Sequence, residues 1–294
     1  MSDYEIFEAD EVHLQSGATL RGAKLAYKTY GTLSVAKDNV IIQPTWYSGN
    51  HNDVEWSIGP DMALNPEEYF IIVPNLLGNG LSSSPSNTPP PYDRARFPNC
   101  TMYDNVRLQH RMVTEKLGIE KIKLVTGWSM GAAQTYQWGC LYPDMVERIV
   151  PTCGSAKCSR HNFVFLEGVK AALTADGAWQ HGWYDSPPTT GLRAMARVYA
   201  GWGFRRPSIA LKRISSLASP RSRIFSSPFG KASSFTRMPT ICWRCCGPGN
   251  MPTSATMRCS AVISTRRSRR SPARLTSCRR GPISISRRKT MSTK

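Results

Sequence analysis

The pentapeptide Gly-Trp-Ser-Met-Gly, residues 127 to 131, sets a serine between two glycines at the spacing Gly-x-Ser-x-Gly. That spacing suits a sharp strand-to-helix turn, a nucleophile elbow, with the serine at its apex. Gly127 and Gly131 are the elbow glycines, small enough for tight packing while Ser129 holds a strained backbone. Ser129 is therefore the candidate nucleophile. A serine hydroxyl attacks a carbonyl only when a base takes its proton, and the base needs an orienting carboxylate. Around an elbow of this type the partners follow the serine in the order carboxylate, then histidine. Neither has an obvious place downstream in this chain.

The elements that would position Ser129 can be read from the apolar pattern. Leu20 to Tyr30, Asn39 to Gln43 and Tyr69 to Pro74 are strand-like, the last two being short apolar runs suited to a sheet covered on both faces. Asp104 to Leu117 has helical spacing, with Val106, Met112, Val113 and Leu117 as core contacts and Gly118 as the stop. Lys121 to Thr126 is the strand entering the elbow, Ala132 to Leu141 the helix leaving it, and Glu147 to Cys153 one more strand. Strands alternating with helices predict an α/β fold with a mostly parallel, doubly wound sheet. A strand before and a helix after Ser129 outweigh the bland reading of a serine in a glycine-rich turn.

Composition divides the chain. Residues 1–204 hold 17 Lys and Arg against 20 Asp and Glu, a net −3, whereas residues 205–294 hold 21 Lys and Arg and no acidic residue. The whole formal charge of +18 therefore resides in the last 90 residues, which also carry 18 Ser and five of the nine Cys but no His, Tyr or Gln. An ordinary domain mixes both signs of charge. Two segments are expected: residues 1–204, a partial α/β domain, and residues 205–294, a disordered basic Ser/Arg-rich tail. The acidic amino terminus lacks the apolar run of a signal peptide, and no apolar stretch approaches the roughly 20 residues of a membrane helix. Irregularly spaced cysteines without an export signal suggest free thiols, so a cytoplasmic protein is expected.

Several blocks between about Leu14 and Phe204 resemble the homoserine O-acetyltransferase family of α/β-hydrolase-fold enzymes. They are LQSGATL and AYKTYGTL (Leu14 to Leu33), YDNVRLQHRMVTEKLGI (Tyr103 to Ile119), GWSMGAAQTYQW (Gly127 to Trp138), YPDMVERI (Tyr142 to Ile149) and NFVFLEGVKAALTAD (Asn162 to Asp176). Two features depart from that family. Trp128 stands where the acetyltransferases usually have glycine, and PTWYSG (Pro44 to Gly49) replaces a His-Ala-Leu-Thr-Gly-type loop. This marks a divergent member and puts homoserine in question as the acceptor.

The resemblance implies covalent acyl transfer. Ser129 would take an acyl group from a thioester or ester, and a small hydroxyl acceptor or water would remove it. No cofactor or metal is implied, and acetyl-CoA or another acyl donor would be the co-substrate. The oxyanion would meet the backbone N–H of Met130 and, by matching the loop at Gly49, that of Tyr47, with Trp46 as the fallback. Trp46 and Tyr47 could equally form an aromatic wall. Arg107 and Gln109 match the family pattern on a helix beside the sheet, where ion pairing and packing are the expected roles. His13, His51 and His110 precede Ser129 in segments that are non-catalytic in the family. His161 and His181 fall in the stretch that forms its helical lid. The triad is incomplete.

Three readings compete for the tail. Arg266 to Arg274 (RRSRRSPAR) suggests a nucleic-acid-binding arm, expected to bind weakly and without sequence preference, and would make the chain a non-catalytic binding protein. Cys242 to Cys246 (CWRCC) hints at a metal or redox module, but the cysteines lack paired ligand spacing and no histidine is near. The third reading is a frameshift close to codon 205. Read one base earlier, the codons of Ile241 to Gly249 give an apolar, helix-forming run. Those of Pro282 to Thr290 permit Asp-Leu-Tyr-Phe-Pro-Pro-Glu-Asp, the kind of segment that holds the family's catalytic aspartate. The base would then lie beyond codon 294, and the chain as written is expected to be inactive.

Sequencing the gene tests the frameshift reading. Under that reading codon 244 is CGN and the earlier frame is open through the tail. AGA or AGG at Arg244, or a stop in that frame, would make the basic tail a genuine product.

Overall fold

The computed structural model describes residues 2–203. The basic tail, its cysteines and the proposed frame break after Phe204 lie outside the described residues, as does any strand encoded there.

Six strands form one sheet in the order β1-β2-β4-β3-β5-β6. β1 (Glu5–His13) and β2 (Thr19–Tyr30) form an antiparallel ribbon, which β2 joins to β4 (Phe70–Pro74), again antiparallel. β3 (Val40–Ile42) runs parallel to β4 and to β5 (Leu124–Trp128), and β5 runs parallel to β6 (Ile149–Thr152). Three of five pairings are parallel, so the mostly parallel sheet expected from the sequence is present.

The two central strands show why the core forms. β3 and β4 are buried along their whole length, and strand geometry sends alternate side chains to opposite faces. Val40, Ile42, Phe70 and Ile72 join the larger cluster, which also holds Val125, Val106, Met112 and Trp138. Ile41, Ile71 and Val73 face the other way, onto Val54 and Leu64.

Helix α1 (Met102–Arg111) begins at a capping box: Thr101 Oγ1 accepts from the Asp104 N–H, and the Asp104 carboxylate accepts from the Thr101 N–H. The same carboxylate accepts from the Gln15 N–H, tying α1 to the loop between β1 and β2. The expected long helix changes character at Met112. Residues Met112–Lys116 form a π-helical turn that ends at Gly118, φ +61°, a backbone that favours glycine. Met112 and Val113 are nevertheless fully buried, as expected, and Leu117 packs against the same cluster.

α2 (Met130–Leu141) follows β5 and lies against α1. α3 (Arg160–Thr174) and α4 (Thr189–Gly203) pack on each other through Val169, Leu173 and Met195, apart from the main core. Asp176 holds the connection between them, accepting from the Ala178 and Gly191 N–H groups, and these two bonds keep its carboxyl below the usual carboxylate range. No helix among the described residues is long and apolar enough to cross a membrane.

His110, near the end of α1, stacks on Tyr142 with ring centroids 3.8 Å apart and lies beside Trp138. Burial disfavours its charged form and lowers its pKa. The unfolded chain therefore binds this proton more readily than the folded one. That part of the stability is present above a pH of about 6.5 and declines as pH falls toward the folded pKa. Urea midpoints should drop between pH 7.5 and 5.5, and His110→Phe should flatten the drop. An identical drop in the variant would remove His110 as a cause.

Candidate active site

β5 ends at Trp128, α2 starts at Met130, and Ser129 occupies the single residue between them with φ +55° and ψ −115°. A non-glycine residue in that region is strained, and the strain persists only where neighbours over-determine it. Here the neighbours are backbone. The Ser129 N–H donates to the Thr152 carbonyl at the end of β6, and the Ser129 carbonyl accepts from the Ala132 and Ala133 N–H groups. A Cβ on Gly127 would lie 2.5 Å from the Gly131 carbonyl group, and one on Gly154 would lie 2.7 Å from the Ser129 carbonyl oxygen. Both contacts are closer than a side chain tolerates. The apex of the turn is exposed, so the Ser129 hydroxyl is presented to solvent above a packed base.

The other wall is the loop after β3. A Cβ on Gly131 would sit 2.4 Å from the Pro44 carbonyl oxygen, so only glycine lets the elbow and this loop approach so closely. Thr45 is fully buried: its N–H and hydroxyl both reach the Pro74 carbonyl, at 3.4 Å each, and its Oγ1 accepts from the Leu76 N–H. Trp46 and Tyr47 come next. The Trp46 indole lies over Gly49, where a Cβ would meet it at 2.7 Å, and meets the Trp128 ring edge-on at 5.9 Å. Trp56 also meets Trp128 edge-on, at 5.6 Å. The Tyr47 ring lies 6.0 Å from that of Tyr199 on α4, linking the loop to the α3–α4 pair. Both rings thus pack on neighbouring aromatic rings, and among the described residues no acceptor takes the Trp46 backbone N–H. The Met130 N–H is in the first position of α2, where a helix leaves its N–H groups without intrahelical acceptors.

No histidine or carboxylate among the described residues hydrogen-bonds the Ser129 hydroxyl. His13 Nδ1 pairs with Thr19 Oγ1 at 3.0 Å, and His110 is stacked on Tyr142. His51 is buried, with Nδ1 facing the Asn75 amide and Nε2 facing Asp3. His161 lies on α3 against Trp202, and His181 lies in the short 3-10 segment Gly177–Gly182; both are exposed. Of the acids after Ser129, Glu147 pairs with Arg148, Glu167 with Lys170 and Asp185 with Arg94, and Asp176 is engaged by backbone. The described residues contain no group of His, Cys, Asp and Glu able to hold a metal ion.

Arg107 packs on its neighbour, as expected, but makes no ion pair among the described residues. It is exposed and lies over the Tyr103 ring at 5.5 Å. Gln109, in contrast, is fully buried between α1 and α2. Two residues beside the elbow and its facing loop had no signal in the sequence: Gln134 on α2, which donates to the Thr45 carbonyl, and Gly154, which lies against Ser129.

The family profile described as the alpha/beta hydrolase fold matches residues 38–245. The chain belongs to that family. Within it, the chain is 41% identical over 204 residues to an ethyl acetate hydrolase of Pseudomonas veronii, covering 68% of this chain and 58% of that protein. It is 34% identical over 211 residues to a homoserine O-acetyltransferase of Chlorobaculum tepidum, covering 68% and 59%. Among solved α/β hydrolases, an acetyl esterase superposes with a TM-score of 0.77 at 34% identity, covering 87% of this chain and 78% of that one. The resemblance to homoserine O-acetyltransferases therefore holds, with esterases alongside. The chain spans about three fifths of the length of the curated relatives it matches.

Gly131→Ala should destabilise the protein by about 1–3 kcal/mol, the usual cost of overpacking against atoms that cannot retreat. Gly168→Ala, in α3 with nothing within 4 Å of the new methyl group, should instead stabilise by about 0.5–1 kcal/mol. Urea denaturation measures both. Equal, small effects would contradict the close approach at Gly131.

Proposed function

We propose that Ser129 is the nucleophile of a short-chain acyl transfer, with ester hydrolysis as its principal form. The observation that carries this reading is the left-handed backbone of Ser129 between β5 and α2, locked by Gly127, Gly131 and Gly154. The serine would attack the carbonyl of a small ester, release the alcohol and hold an acyl group that water removes. Met130 N–H and Tyr47 N–H, with Trp46 N–H as the alternative to Tyr47, would stabilise the oxyanion. Hydrolysis is favoured over transfer to homoserine because relatives named as acetate-ester hydrolases match more closely than the acetyltransferases. Aromatic rings of Trp46 and Trp128 beside Ser129 also suit an apolar acyl or alkyl group better than a charged amino acid. Acetyl-CoA as donor belongs to the acetyltransferase form of the same reading, and a cytoplasmic location is proposed separately, from the irregularly spaced cysteines.

The base and its carboxylate have no counterpart beside Ser129: residues 205–294 contain no Asp, Glu or His, and none among the described residues hydrogen-bonds the Ser129 hydroxyl. We assign them to the earlier reading frame, so that this chain is the front part of the enzyme joined to an out-of-frame tail.

Hydrolysis of p-nitrophenyl acetate by two purified proteins tests both statements. The 294-residue chain should show no turnover that depends on Ser129. The product of the gene shifted back one base near codon 205 should hydrolyse the ester and lose at least about 10³-fold in Ser129→Ala. Ser129-dependent turnover by the 294-residue chain would refute its inactivity. A shifted product whose activity survives Ser129→Ala would refute the nucleophile assignment.

A further inference from the structure

The loop opposite Ser129 is held from behind by a chain of buried side chains. Trp138 Nε1 donates to Gln109 Oε1 at 2.9 Å, Gln109 Nε2 donates to Gln134 Oε1 at 2.7 Å, and Gln134 Nε2 donates to the Thr45 carbonyl at 2.9 Å. All four residues are fully buried. The chemistry of its two ends sets the direction of the whole chain. An indole nitrogen only donates and a backbone carbonyl only accepts, so each glutamine amide has one satisfactory orientation and a flip of either would break two bonds.

The terminal acceptor belongs to the peptide group between Thr45 and Trp46. A trans peptide is planar, with its carbonyl and N–H pointing in opposite directions. A grip on the Thr45 oxygen from α2 therefore turns the Trp46 N–H away from that contact. It also fixes where the following residue, Tyr47, leaves the core. Gly131 sets the distance between elbow and loop; the glutamines set the loop's rotation.

We infer that Gln134, oriented by Gln109 and Trp138, is the positioning residue for the oxyanion loop, holding the Thr45–Trp46 peptide in the orientation that the acyl-transfer site requires. This assignment of purpose rests on the reading of Ser129 as nucleophile, but the restraint on the loop does not. Neither glutamine touches substrate. A methionine in place of Gln134 would preserve length and apolar volume while leaving the Thr45 carbonyl and the Gln109 amide without their partner.

Hydrogen exchange on the full 294-residue chain tests the restraint without needing catalysis. In Gln134→Met the amides of the segment 44–49 should exchange about tenfold faster than in the parent, the scale of one lost buried hydrogen bond. Those of β2 and β4 should keep their rates. Gln109→Met should loosen the same segment less, and both variants should move the Trp138 indole N–H resonance, which a space-filling role would leave in place. Unchanged exchange at 44–49, or equal acceleration throughout the sheet, would overturn the inference. The unmutated chain supplies a reading that does not depend on how the variants fold. The side-chain amide protons of Gln109 and Gln134 should be protected at least tenfold relative to those of exposed Gln180, and equal rates would overturn it as well. A failure here leaves the Ser129 assignment intact, and an unreactive Ser129 leaves these exchange rates unaltered.

Discussion

The close approach of Gly131 to the Pro44 carbonyl is the contact on which the site depends. A strand-to-helix turn can present a serine in many surroundings, but an oxyanion needs donors from two separate segments at one point. A Cβ on Gly131 would lie only 2.4 Å from the Pro44 carbonyl oxygen, so the elbow and the loop after β3 meet there with no side chain between them. Around it the structure adds restraints of different kinds: steric exclusion at Gly127 and Gly154, a backbone bond from Ser129 to Thr152, and the glutamine chain behind Thr45. Each acts on backbone rather than on a flexible side chain. The left-handed conformation at Ser129 is thus held by neighbours that have no room to relax.

The parts of the fold most legible in the sequence were those whose burial follows a simple period. Runs such as Phe70 to Val73 announce a strand covered on both faces, and the structure divides their side chains between two clusters as the alternation requires. β1 was not anticipated, because Glu5, Glu8, Asp10 and Glu11 hide the inward alternation of Phe7 and Ala9. The expected start of β5 at Lys121 moved to Leu124, since Ile122 makes only an isolated bridge to Val146 before the regular pairing begins. Boundaries also moved at the elbow, where β5 runs on to Trp128 and α2 starts at Met130, because the turn consumes one residue rather than five.

At the site, the elbow could be located from local spacing, whereas the restraint on the loop could not. Gln109 and Gln134 are 25 residues apart, and a polar residue on a helix reads as a solvent-facing position. Only the packing of α1 against α2 turns both inward and makes their amides partners. Arg107, two residues from Gln109 on the same helix, shows the converse. It lies on the exposed face, and its guanidinium finds an aromatic ring instead of a carboxylate. The charge asymmetry, by contrast, is visible in the sequence alone: residues 1–204 are mildly acidic and residues 205–294 contain no Asp or Glu.

We propose that Ser129 is an acyl-accepting nucleophile whose base is encoded in another frame. Labelling with a fluorophosphonate, followed by peptide mass spectrometry, tests it most directly. Applied side by side, the reagent should modify the frame-restored protein stoichiometrically at Ser129 and leave the 294-residue chain essentially unlabelled. Modification at a different serine, or equal labelling of Ser129 in both proteins, would contradict the account.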